Sequence, residues 1–170
     1  MSVQDRNKAW GYALFADDIR VEVGGKTSLM GIYQADMIFA DNIPLPFIVS
    51  KFVIQVMYFE LIGSIEGDFS IKVTYGKDNT LLVEVPVIRK ELRAPEGARQ
   101  ALAEDLVEDA ERIFHMRMPV VLSPFVIAET GRVRIRAHYA DGSILKLGSI
   151  AITQIPERDF QAMSGIPPTQ

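Results

Sequence analysis

The chain has 170 residues, 48% of them apolar and 24% charged, and a formal net charge of -4. That length fits one domain, large enough to remove roughly 70% of its unfolded surface from water without a metal or a disulfide. With no cysteine, disulfides, thiol nucleophiles and thiolate metal sites are excluded, and a negative balance gives no overall field that attracts nucleic acid or acidic lipid.

Residues 1–8 are polar and lack the apolar stretch of a signal peptide. With the missing cysteine, this sets the expectation of a cytoplasmic protein with no membrane partner. Residues 10–16 read as a strand, as do 19–23 and 27–33 on either side of Gly24-Gly25. The tetrapeptide Gly24-Gly25-Lys26-Thr27 also ends the phosphate-binding loop of nucleotide hydrolases. That loop needs a first glycine at position 20, which is Arg20, and a helix after Thr27. Here β-formers and Gly31 follow, so the glycine pair is read as a turn, where left-handed backbone carries no steric penalty.

Residues 36–39 form a weaker strand candidate. Residues 47–62 are apolar on both parities and interrupted by Lys51, Gln55 and Glu60. They are too short and polar to span a bilayer and long for one strand, so the segment is expected to bend or serve two sheets. Phe69, Ile71, Val73 and Tyr75 alternate with polar residues, as on a half-buried strand. Residues 81–88 form a strand whose Pro86 places it at an edge or a bulge, since proline cannot donate to the ladder.

Residues 96–114 carry Ala98, Leu102, Leu106, Ala110 and Ile113 at helical spacing, with acidic residues around the stripe. A strand follows at 120–127. Val133, Ile135, Ala137 and Tyr139 then alternate with Arg132, Arg134, Arg136 and His138. Asp141-Gly142 suits a two-residue hairpin turn leading into a strand over 143–155. Such a turn would set Arg136 opposite Leu147, Arg134 opposite Ser149 and His138 opposite Leu145. Residues 156–170 show no periodicity and read as an extended or disordered tail. The fold expected is all-β: a single antiparallel two-sheet β-sandwich, immunoglobulin-like or C2-like, over residues 1–155, with one helical insertion around 96–114.

The stretch from Phe15 through Asp17, Asp18, Arg20, Glu22, Gly25, Lys26, Ser28, Leu29 and Gly31 to Tyr33 resembles the N-terminal signature of an uncharacterised bacterial and phage domain family, F-x-[DE]-[DE]-x-R-x-E-x-x-G-K-x-S-L-x-G-x-Y. The resemblance implies a β-sandwich and no particular activity. The charged residues of the signature, Asp17, Asp18, Arg20, Glu22 and Lys26, read as a structural corner in which Arg20 and Lys26 pair with the acids, the alternative being a ligand-binding corner.

Chemistry is otherwise sparse. The two histidines, His115 and His138, fall in separate segments, which disfavours zinc. His115 sits among apolar neighbours and reads as a core residue. Asp17, Asp18, Asp36, Asp41, Asp78 and Asp141 match no calcium loop and suit turns. No G-x-S-x-G elbow is present. The expectation is a non-enzymatic protein-binding or structural module, without cofactor or metal, whose partner is a protein, including a second copy. The basic stripe Arg132, Arg134, Arg136 and His138, whose side chains lie about 6.6–6.8 Å apart along one face, reads first as solvated charge or as internally paired with the acidic segment at 104–111; the alternative function is an anion or single-stranded nucleic-acid binder that uses it.

Overall fold

The computed structural model describes residues 9–61, 67–89 and 113–164. In chain order these form β1 (Ala9–Ala16), β2 (Asp18–Val21), β3 (Thr27–Met30), β4 (Met37–Ala40), β5 (Phe47–Val49), β6 (Phe52–Leu61), β7 (Phe69–Tyr75), β8 (Thr80–Val87), β9 (Ile113–Leu122), β10 (Phe125–Ile127), β11 (Gly131–Tyr139), β12 (Ile144–Ile155) and α1 (Glu157–Ser164). The protein is mostly β. A three-stranded sheet has the order β1-β6-β9 and a five-stranded sheet the order β4-β12-β11-β7-β8. Two ribbons, β2-β3 and β5-β10, complete the set.

Alternation dictates which side chains go inside. Phe69, Ile71, Val73 and Tyr75 of β7, and Val133, Ile135 and Ala137 of β11, are buried between polar neighbours. They meet Phe52, Ile54, Val56 and Tyr58 of β6 in one apolar cluster, so both larger sheets share a core. Ring contacts stitch it together, with Tyr58 stacked on Phe69 at 4.8 Å and Phe52 on Phe125 at 5.1 Å. The apolar run at 47–62 does divide: β5 pairs with β10 while β6 is the centre of the three-stranded sheet. Pro86 lies on β8, at the edge of its sheet.

Three expectations need correction, and a fourth falls almost wholly outside the described residues. The five-stranded sheet is mixed, because β4 runs parallel to β12, so the antiparallel two-sheet sandwich holds only as far as a mostly-β fold. The helix expected at 96–114 lies outside the described residues, except for Ile113 and Phe114, which begin β9. The tail expected to be extended or disordered contains α1, which follows Pro156 and opens with Glu157 and Asp159, charges suited to a helix N-terminus. Lastly, Asp141-Gly142 is not a two-residue turn. Tyr139 and Ser143 close a loop of Ala140, Asp141 and Gly142, with Gly142 at φ 82°. This is the three-residue hairpin that needs one left-handed residue.

The longer loop shifts the register by one, and β12 restores it with a bulge. Arg136 faces Lys146, whereas Ile135 faces Gly148, so Leu147 is the extra residue. Inward residues therefore change parity, from Leu145 and Leu147 before the bulge to Ile150 and Ile152 after it. Leu147 and Gly148 both turn toward β1. A Cβ on Gly148 would lie 3.3 Å from the Ala13 Cβ, and one on Gly11 would lie 2.6 Å from Leu147 Cδ2 and against the Met57 carbonyl. Where β1 crosses β12, only small residues fit. Gly11→Ala should therefore lower stability by about 1–3 kcal/mol through overpacking. Urea denaturation should show a reduced midpoint with an unchanged m-value; an unaltered midpoint would show that the crossing is loose.

Candidate anion-binding face

The outer face of the five-stranded sheet is built by the same alternation that fills the core. Arg132, Arg134, Arg136 and His138 project from β11 between its buried residues. The register adds cations that the sequence stripe does not show. Lys72 of β7 and Lys146 of β12 lie directly across from Arg136, one on each side. One row thus reads Glu84, Lys72, Arg136, Lys146 across four strands. The expectation that Arg136 faces Leu147 and His138 faces Leu145 is overturned: their partners are Lys146 and Ile144. Arg134 does face Ser149.

Like charges directly opposite one another destabilise a sheet. Among the described residues only Lys72 is compensated, through Glu84 at 3.3 Å, and hydrogen bonds from Ser70 and Lys72 hold the Glu84 carboxyl below its ordinary range. Arg132 donates to Ser149 Oγ at 3.0 Å. Arg134 donates through Nη1 to the carbonyls of Gly76 and Arg132, at 3.0 and 3.1 Å. Among the described residues, Arg136 and Lys146 make no ion pair or side-chain hydrogen bond. Two shallow hollows flank the row. One, of about 380 Å³, is lined by Arg134, Arg136, Lys146, Ser149 and the bulge; the other, of about 430 Å³, by Ser70, Lys72, His138 and the β11-β12 loop.

Burial, then Lys72 and Arg136, hold the His138 imidazole below its ordinary range, with Glu84 opposing. The fold thus favours the neutral ring. As pH falls, the unfolded chain takes up this proton first, so the stability His138 contributes is complete above about pH 6.5 and is lost toward the lower folded value. Denaturation midpoints measured from about pH 7.5 to pH 5 should fall less in His138→Gln than in the parent; parallel profiles would contradict the linkage.

The signature corner lies elsewhere, around the β2-β3 ribbon. Asp17 accepts from the Tyr33 hydroxyl at 2.5 Å, and Asp18 accepts from Lys51 at 2.7 Å and from the Ile19 amide. The Lys51 hydrogen bond leads in holding the Asp18 carboxyl below its ordinary range. Arg20 reaches Asp18 at 3.7 Å. Glu22 and Lys26 are exposed and contribute backbone: the Glu22 amide donates to the Lys26 carbonyl at 2.7 Å, closing the turn over Gly24 and Gly25. Gly31, at φ 65°, packs against the Asp17 carboxylate where a side chain would not fit. The corner ties the ribbon to the start of β6 through Lys51.

Two features escaped sequence reasoning. Glu60 is buried beneath Arg89, which grips both its oxygens, while the Tyr58 hydroxyl donates to it at 2.5 Å. Burial leads in pushing the Tyr58 phenol well above its ordinary range. A lone Glu in an apolar strand and a distant Arg gave no spacing to read. His115 is exposed rather than buried, stacked 4.6 Å from Phe59, which in turn stacks on Trp10 at 5.6 Å. Their alignment across β1, β6 and β9 depends on registers that only the structure gives.

Among the described residues no three His, Asp or Glu side chains converge as metal ligands, and no helix is long and apolar enough to cross a membrane. The chain matches no protein-family model, no curated protein and no solved structure.

Proposed function

We propose that the protein is a non-enzymatic binding module whose working surface is the outer face of β12, β11 and β7, and that this face holds an anionic polymer, single-stranded nucleic acid first among them. One observation carries the reading: Lys72, Arg136 and Lys146 stand side by side on three adjacent strands, with Glu84 the one carboxylate in their row. A row of like charges costs the free protein stability, and a bound anion turns that cost into affinity. The face is poor in aromatic side chains, so backbone phosphates rather than stacked bases would supply the contacts, and sequence preference would be weak.

The shared core supports a β-sandwich of immunoglobulin-like or C2-like kind, the parallel β4-β12 pair being its departure from the antiparallel pattern. Kinship with the signature-bearing family rests on Phe15 to Tyr33, where Asp17, Gly31 and Tyr33 fit together.

Fluorescence anisotropy with a labelled oligothymidylate should show binding at low salt that weakens steeply as salt rises, with a log–log slope of about −2 to −3 for three or four phosphate contacts. Lys72→Glu and Arg136→Glu should each weaken binding and flatten the slope by about 0.7. Absence of binding at low salt would overturn the reading.

A protein partner, a second copy included, is favoured by a different observation. The outer face of the three-stranded sheet exposes Trp10 and Tyr12, 41% and 47% accessible, beside Phe59 and Ile113. Contiguous exposed aromatic and aliphatic surface marks contact sites, and Trp and Tyr are common anchors there. For the second copy, sedimentation equilibrium should show mass rising with concentration, abolished in Trp10→Lys; a monomer at every concentration contradicts self-association.

A further inference from the structure

We propose that the hollow at the Leu147 bulge is a phosphate subsite, the point at which the basic face grips one phosphate group. The inference rests on the reading of that face as an anion-binding surface and adds where and how the anion is seated.

The bulge creates the space. On a regular strand, every second residue of β12 would cover the outer face. Here Leu147 and Gly148 both turn inward, toward β1, so the outer face has no side chain between Lys146 and Ser149. On β11 opposite, Arg134 and Arg136 project normally. The result is a stretch of bare backbone, the floor of the hollow of about 380 Å³, rimmed by Arg134, Arg136, Lys146 and Ser149. Bulges commonly re-aim side chains near functional sites.

The rim carries donors with capacity left over. The guanidinium of Arg136 has five N–H groups and the ammonium of Lys146 three, and neither group has a partner among the described residues. Arg134 spends Nη1 on the Gly76 and Arg132 carbonyls, which fixes its plane and leaves Nη2 and Nε. Ser149 Oγ accepts from Arg132, so its own hydrogen is free to donate. Two uncompensated cations, a half-used third and a hydroxyl around one space exceed what a carboxylate's two oxygens and single charge can satisfy. A phosphate, with three or four oxygens and up to two charges, matches them. The hollow is larger than one phosphate, leaving room for an ester substituent.

The test is a titration of the ¹⁵N-labelled full chain with inorganic phosphate, against sodium chloride at matched ionic strength. Phosphate, unlike chloride, should cause saturable shifts at the Leu147, Gly148 and Ser149 amides and at Arg136 Nε. In the double variant Arg136→Gln/Lys146→Gln phosphate should bind about tenfold more weakly or worse, with well-dispersed spectra reporting an intact fold, while Lys72→Gln should retain phosphate affinity. A second arm adds the oligothymidylate. If it displaces phosphate, the subsite takes phosphodiesters of a polymer. If phosphate binds and the oligonucleotide does not, the subsite stands and serves small phosphate compounds, while the polymer reading falls. If the oligonucleotide binds but phosphate shifts nothing at the bulge, the subsite is overturned and the wider face survives. If neither binds, both are overturned.

Discussion

β12 carries one residue more than β11 can face, and the rest of the molecule is arranged around that mismatch. The three-residue loop at Ala140, Asp141 and Gly142 sets a register that would turn Ile150 and Ile152 toward solvent if it continued unbroken. The Leu147 bulge reverses the parity and returns both to the core. It also places Leu147 and Gly148 against Gly11 and Ala13 of β1, where side chains of ordinary size would clash. Closure of the core and exposure of the bare strip on the outer face are therefore two consequences of one backbone event. Bulges increase local twist, which fits a five-stranded sheet that curls.

Charge is handled in opposite ways on the two sides of this sheet. Inside, the buried Glu60 is held by Arg89 and the Tyr58 hydroxyl, with Tyr139 alongside at 3.2 Å from Tyr58. Removing one partner from such a pair leaves an uncompensated buried charge, so the group acts as a lock at one end of the core. Outside, Arg136 and Lys146 face each other without a carboxylate among the described residues. Solvent makes that arrangement tolerable, and the anion proposed above would neutralise it. That difference, a saturated buried pair against an unsaturated exposed row, is the ground for proposing the second and not the first as a binding site.

Alternation made much of the fold legible in the sequence. Phe69 to Tyr75 and Val133 to Ala137 are inward where the period of two puts them, and Pro86 sits on an edge strand. Three kinds of information were hidden. A parallel partner such as β4 leaves no local mark, because pairing direction depends on residues far apart in sequence. β9 was obscured because Ile113 and Phe114 extend the spacing of an apparent helix. Register was misjudged because Asp141-Gly142 satisfies a two-residue turn equally well. The bulge did leave a trace: apolar residues switch parity across Gly148, and glycine inside a strand often marks such a site. Of the candidate site, the arginine stripe could be seen and its flanking lysines could not, since Lys72 and Lys146 join it only through pairing.

Closure of the core and the bare outer strip both depend on the Leu147 bulge, which cross-strand nuclear Overhauser effects between β11 and β12 would read out. A bulge there gives backbone contacts that join Arg136 to Lys146 and Arg134 to Ser149, with Leu147 lacking a partner of its own on β11. Contacts that instead join Arg136 to Leu147 and His138 to Leu145 would show an unbroken ladder from a two-residue turn. The bare strip, its basic rim and the β1 crossing would then lose their common cause.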